Sequence, residues 1–260
     1  MFKHKVEPLE SPKSHNPLIS GWVSDLLERC LAKSASDRVQ SFGELLQSLT
    51  SGAGQKSPWE ATTDDRLATY LEKYRARCEV YLETNEPLTV EDTYLFSEER
   101  TLQIMRGDLV AQEVDALVGS DDLQLTMGEN TRSGVSSSIL LAGGRTIYDE
   151  AQRYIPVRPG RVVITSAGSL KARFVFHAVT LGAGHQLSRD LIAELLRCCL
   201  YHAETLTLHS IALPLLGTGN GGLSRSVCLE TMFRVLTRAM LYSPTPLRDV
   251  RIVLHSPNSK

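Results

Sequence analysis

The residues best placed to do chemistry lie where the apolar run Ile211-Ala-Leu-Pro-Leu-Leu216 opens into Gly217-Thr-Gly-Asn-Gly-Gly222. Gly217, Gly219, Gly221 and Gly222 leave this loop almost free of side chains. Directly after it, residues 224–241 carry apolar side chains at helical spacing. Strand, glycine loop and helix together bring bare backbone N–H groups up to an anion, and the helix N-terminus adds positive potential. Glycine suits such a loop because positive φ and close ligand approach both exclude a Cβ. The same pattern also makes a tight turn between strand and helix, so the loop by itself leaves both readings open.

Composition narrows the partners. The 28 basic and 30 acidic residues nearly cancel, giving a formal charge of −2 and no broad field for nucleic acid or acidic lipid. No apolar run is long enough to span a membrane, and residues 1–5 lack the apolar stretch of a secretory signal. The five cysteines form no CxxC pair, which reads as reduced, buried thiols in a cytoplasmic protein. The seven histidines form no metal motif. No metal and no cofactor are therefore expected. His177, inside an apolar strand pattern, reads as a core histidine.

Three regions must position the glycine loop. Residues 1–50 read as amphipathic helices at 18–31 and 42–49, with Ser41 and Glu44 forming a capping box, and end in a small-residue stretch. Residues 51–97 read as a linker with one helix. Its stripe of Leu67, Tyr70, Leu71, Tyr74, Cys78 and Tyr81 packs on a neighbour, and an extended segment follows at 88–96. Residues 98–260 alternate strands and helices in the α/β manner: strands at 102–105, 116–118, 161–165, 173–180 and 250–255, and helices at 136–154 and 187–206. Gly143 and Gly144 interrupt the first of those helices.

In this order the elements resemble a macrodomain, the ADP-ribose-binding fold, over roughly residues 98–258. Ile104-Met-Arg-Gly-Asp-Leu109 is similar to the opening strand and turn, and Val114-Asp-Ala-Leu-Val-Gly-Ser-Asp-Asp122 to the second strand. Ser133-Gly-Val-Ser-Ser-Ser-Ile139 resembles the first phosphate loop and the glycine loop the second, with Pro159-Gly-Arg-Val-Val-Ile-Thr-Ser166 between them. The resemblance implies a three-layer α/β/α fold with a mixed sheet, preceded by a small helical region.

It also implies a ligand pose. Asp108, beside Leu109, would accept a hydrogen bond from the adenine amino group, where guanine would present an oxygen. Ser133, Gly134, Val135 and Ser136 would face Gly217, Thr218, Gly219, Asn220, Gly221 and Gly222 across the diphosphate. Ser136 and Thr218 would add hydroxyl donors. His255 would stack on adenine, and Asp122 would meet the distal ribose. The partner implied is ADP-ribose or an ADP-ribosylated protein.

Residues 19–49, with 26–38 at their heart, resemble the last helices of a serine/threonine protein kinase domain. There Arg38 holds a position that in kinases pairs with a glutamate of the activation segment. That glutamate, the glycine-rich loop, the lysine strand and the HRD and DFG motifs are not in this sequence, so the chain is not an active kinase on its own.

Hydrolytic macrodomains use an asparagine at the end of the second strand and an aspartate in the first phosphate loop. Here those positions hold Asp122 and Ser136. Asp122 could polarise a water, but Ser136 cannot replace a carboxylate. The loop at 127–134 is also longer than usual, and Glu129, Asn130 and Arg132 form either a new wall or a solvated tip. The leading expectation is a binding module. An ADP-ribosyl hydrolase relying on Asp122 is the enzyme alternative, and an interaction module without ADP-ribose activity is the third.

Overall fold

The computed structural model describes residues 10–15, 21–53, 65–82, 92–97, 99–129, 134–181, 187–218, 223–243 and 245–255. The chain forms two compact units, Met1–Asp64 and Asp65–Lys260. In the first, α1 (Pro12–His15), α2 (Gly21–Cys30) and α3 (Phe42–Ala53) follow in order. Ser41 accepts the Glu44 N–H at 3.1 Å, as its capping role requires. The reciprocal bond is displaced by one residue, because Glu44 accepts from the Gln40 N–H at 2.8 Å. Arg38 donates to the Ala32 carbonyl at 2.8 Å, just beyond the end of α2.

The second unit carries α4 (Asp65–Leu82), β1 (Asp92–Ser97), β2 (Arg100–Gly107), β3 (Ala116–Asp122), α5 (Val135–Gly143), α6 (Arg145–Ala151), β4 (Val162–Ser166), β5 (Phe174–Leu181), α7 (Arg189–Thr205), β6 (Ser210–Pro214), α8 (Arg225–Tyr242) and β7 (Asp249–His255). One seven-stranded sheet runs in the order β1-β2-β7-β6-β3-β5-β4. The five strands β2, β7, β6, β3 and β5 are parallel, and β1 and β4 flank them antiparallel.

The sheet is the middle layer of an α/β/α fold. Leu117, Val175 and Val253 share a core with Ile139 of α5 and Ile147 of α6. Their strand neighbours Val118 and Phe176, pointing the other way, are equally buried. Gly144, at φ +92°, ends α5 and starts α6, so the double glycine divides the helix as its composition suggested.

The unit begins earlier than residue 98. Residues 92–97 form an edge strand of the same sheet, and α4 packs on α8. Tyr74 stacks on Phe233 at 4.5 Å, Tyr94 meets the same ring edge-on at 4.6 Å, and Tyr70 stacks on Phe96 at 4.5 Å. The aromatic stripe of α4 is thus a packing surface.

At the opposite edge from the strands' C-terminal ends, Asp115 joins β3 to β6. Its Oδ2 accepts from the N–H groups of His209 at 2.8 Å and Ser210 at 3.1 Å, while Ser210 Oγ accepts the Asp115 N–H at 2.8 Å. Partial burial acts to raise the Asp115 pKa, but the His209 and Ser210 N–H groups and Arg173 outweigh it and hold the carboxyl below its ordinary range. A depressed carboxylate stabilises the fold above its unfolded pKa of about 3.9 and loses that contribution as pH falls through the lower folded value. Asp115→Asn should therefore lower the melting temperature at pH 7. The gap from the native chain should narrow as the pH falls below about 4. Thermal unfolding of both chains between neutral and acid pH checks this.

Candidate functional site

Parallel pairing places the ends of β2, β7, β6 and β3 at one edge, where ligands of open α/β sheets bind. Most of the described candidate residues gather there. β2 ends at Gly107, which pairs with His255 at the end of β7, so Asp108 and His255 are neighbours through the ladder. Asp108 is exposed and Leu109 buried. Asp108 Oδ1 accepts the Val110 N–H at 3.0 Å and caps a short 3-10 turn, Leu109–Ala111, which fixes the direction of the carboxylate. His255 is exposed at the strand end.

β6 delivers Gly217 and Thr218. Gly217 has φ +84°, and a Cβ on it would lie 1.7 Å from Leu187 Cδ2. Turn geometry and packing both demand glycine at this one position. Thr218 Oγ1 donates to the Leu215 carbonyl at 3.1 Å, and the Leu216 N–H points to Met232 Sδ at 3.4 Å. Gly219, Asn220, Gly221 and Gly222 lie outside the described residues. The helix that follows is capped by Ser224, which accepts the Val227 N–H at 3.3 Å.

The start of α5 follows β3 at the same edge. Gly134, at φ +88°, is its N-cap and supplies no side-chain acceptor, so no capping side chain satisfies the first-turn N–H groups. Val135 and Ser136 form that turn, and Ser136 Oγ donates to the Ser120 carbonyl at 2.8 Å. Ser133, Asn130 and Arg132 lie outside the described residues. Glu129 pairs with Arg145, whose guanidinium also sits 4.3 Å from the Tyr148 ring centre. That pairing ties the loop to α6.

The hydroxyl protons of Ser136 and Thr218 are thus both engaged inside the protein. Among the described residues of these two segments, the first-turn N–H groups of α5 are left without a capping side chain. Asp122 is likewise drawn into its own loop. Its Oδ1 accepts from the N–H groups of Gln124 at 2.9 Å and Thr126 at 3.2 Å, and its Oδ2 accepts from the Thr126 hydroxyl. Gln152 holds the same loop by donating to the carbonyls of Gln124 at 2.9 Å and Leu125 at 3.0 Å. These bonds support Leu125 and Met127 at φ +48° and +50°, an uncommon conformation for side chains of that size.

A buried polar chain that no motif reveals lies behind the first turn of α5. Asp121 Oδ2 lies 2.9 Å from His177 Nδ1, and His177 Nε2 lies 3.0 Å from Thr165 Oγ1. His177 is a core histidine with both ring nitrogens partnered. The available signal was the pair Asp121-Asp122, since two adjacent strand residues face opposite sides of a sheet. No group of metal-ligating side chains occurs among the described residues, and no described helix is long and apolar enough to cross a membrane.

Comparison with known proteins agrees with this architecture. The sequence profile of the Macro domain matches residues 124–232. An uncharacterised protein of Sulfolobus acidocaldarius is 35% identical over 153 residues, spanning 57% of this chain and 80% of that protein. A variant of the Oceanobacillus iheyensis macrodomain solved with ADPR superposes with a TM-score of 0.57 at 22% identity, covering 65% of this chain and 91% of that one. The Trypanosoma brucei macrodomain in complex with ADP gives a TM-score of 0.56 at 18% identity, covering 77% and 89%.

Gly217→Ala places a methyl group in the space of Leu187 and forces a left-handed alanine. It should cost about 2 kcal/mol or more of unfolding free energy, measured by denaturant titration against the native chain. Fold, edge and profile agree, and the chain belongs to the macro domain family.

Proposed function

We propose that the chain binds ADP-ribose, free or attached to protein, and acts as a reader. The observation that carries this reading is the meeting of Asp108, His255, the Gly217 turn and the uncapped start of α5 at one sheet edge. Asp108 Oδ1 is held by the Val110 N–H, which leaves Oδ2 for an adenine amino group. Backbone N–H groups from the two loops suit a diphosphate, and no lysine or metal is needed. The Oceanobacillus iheyensis macrodomain with ADPR, a structural relative, supports the same ligand class.

Binding without efficient hydrolysis is the reading that the polar side chains favour. A general base needs a carboxylate free to meet a water in the site. Asp122 already accepts three hydrogen bonds from its own loop, and the Ser136 hydroxyl serves the β3 backbone.

Titration calorimetry with ADP-ribose should give a dissociation constant in the micromolar range, and Asp108→Ala should raise it about tenfold through loss of a charged hydrogen bond. No heat from the native chain, at concentrations well above that range, would leave an interaction module. Release of ADP-ribose from modified protein should be equally negligible for the native chain and Asp122→Ala. Release by the native chain that Asp122→Ala abolishes would establish the hydrolase instead.

A further inference from the structure

β3 ends in two aspartates with opposite surroundings. Asp122 serves the loop, whereas the Asp121 side chain is 1% exposed and reaches His177, whose side chain is fully buried. Asp121 Oδ1 is also buried and finds no hydrogen-bond partner among the described residues. Gly119 makes the arrangement possible. It pairs with His177 across the ladder and carries no side chain of its own, so the imidazole meets Asp121 on the diagonal. A Cβ on Gly119 would lie 3.4 Å from Asp121 Oδ2 and 3.2 Å from Ser136 Oγ. The carboxylate therefore borders the same small space as the first turn of α5, which is one wall of the anion site.

Hydrogen-bond directions constrain the protons. Thr165 Oγ1 donates to the Ser166 carbonyl at 3.0 Å, so it can only accept from His177 Nε2–H. The contact between Nδ1 and Asp121 Oδ2 then needs a second proton, carried by the ring or by the carboxyl. Reversing the Thr165 hydroxyl would leave a neutral ring beside an ionised carboxylate. That state buries an uncompensated negative charge next to an anion site, which is costly. Glu150 of α6 is engaged elsewhere, accepting from Ser166 N–H at 2.7 Å and Ser166 Oγ at 2.8 Å.

We propose that Asp121 and His177 hold one proton between them in addition to that on Nε2, and so present a neutral pair beneath the α5 wall. The pair acts on the anion only through its net charge, and this rests on the ADP-ribose reading above. A diphosphate above α5 would be repelled by the same pair carrying a net negative charge. With the pair neutral, it meets only the positive end of the helix.

A double-mutant cycle on the full chain, read by calorimetry with ADP-ribose, tests the inference. His177→Gln keeps a donor to Asp121 but cannot carry the extra proton, and it should weaken binding about tenfold. Asp121→Asn removes the charge, and both it and the double variant should bind within about threefold of the native chain. Equal losses in His177→Gln and the double variant would overturn the proposal. A second measurement needs no variant. Imidazole NMR of the native chain should show a proton bonded to His177 Nε2, and an Nε2 without one overturns the proposal. Native heat without coupling in the cycle removes the pair alone, whereas no native heat removes the ADP-ribose reading and the pair's role with it.

Discussion

Because β2, β7, β6 and β3 run parallel and pair residue by residue, every strand end that the site uses arrives at one edge of the sheet. Gly107 meets His255, Pro214 meets Val253, and Ala116 meets Ile211. A slip of one residue in any of these ladders would exchange the two faces of a strand. It would also carry Asp108 away from His255 or move the Gly217 turn off Leu187. Asp115 helps to fix the register from the far end of β3 by binding the backbone where β6 begins. The meeting of these strand ends is therefore a consequence of sheet pairing, and Gly217 adds local freedom that the pairing leaves to be specified.

Much of this could be read from the sequence, because local chemistry and long-range packing ask for the same residues. Gly217 is needed for its left-handed backbone and also for the close approach of Leu187. Ser188 and Ser224 cap α7 and α8 by accepting N–H groups three residues ahead, where the helical patterns begin. The N-terminal part of the α/β unit was harder to see. Residues 92–97 make a short edge strand, and its place in the sheet depends on β2, which no window of local sequence reveals. The loop after β3 was hidden for a different reason. Leu125 and Met127 adopt positive φ without being glycine, asparagine or aspartate, and the bonds that hold them come from Asp122 and from Gln152 on a distant segment. The pairing of Asp121 with His177 spans 56 positions and needs a glycine opposite the histidine. Composition carries none of that.

The polar side chains around the edge share one allocation. Ser136 serves the Ser120 carbonyl, Thr218 the Leu215 carbonyl, and Asp122 the loop that follows it. Each buried or half-buried polar atom satisfied in this way stiffens a strand end or loop, since leaving such a group unpaired costs about 1–3 kcal/mol. Each is thereby engaged within the protein. Among the described residues, the exposed carboxylate of Asp108 and the exposed imidazole of His255 stand at this edge with the uncapped N–H groups of α5. On the reading proposed above, that set favours recognition of a nucleotide with a diphosphate over the breaking of a glycosidic bond.

An anion site made of neutral donors is sensitive to charge buried behind it. Lysine or a metal ion would override a nearby carboxylate, but helix-terminal N–H groups supply only partial charges, and their field falls off within about one turn. Asp121 sits within that range, bordering the first turn of α5 through the space left by Gly119. An ionised and unpaired carboxylate there would oppose the helix field where an anion needs it. The fold tolerates the residue because β5 sets His177 against it and β4 sets Thr165 against His177. The charge behind the first turn of α5 therefore depends on Asp121 of β3, His177 of β5 and Thr165 of β4, and on the absence of a side chain at Gly119.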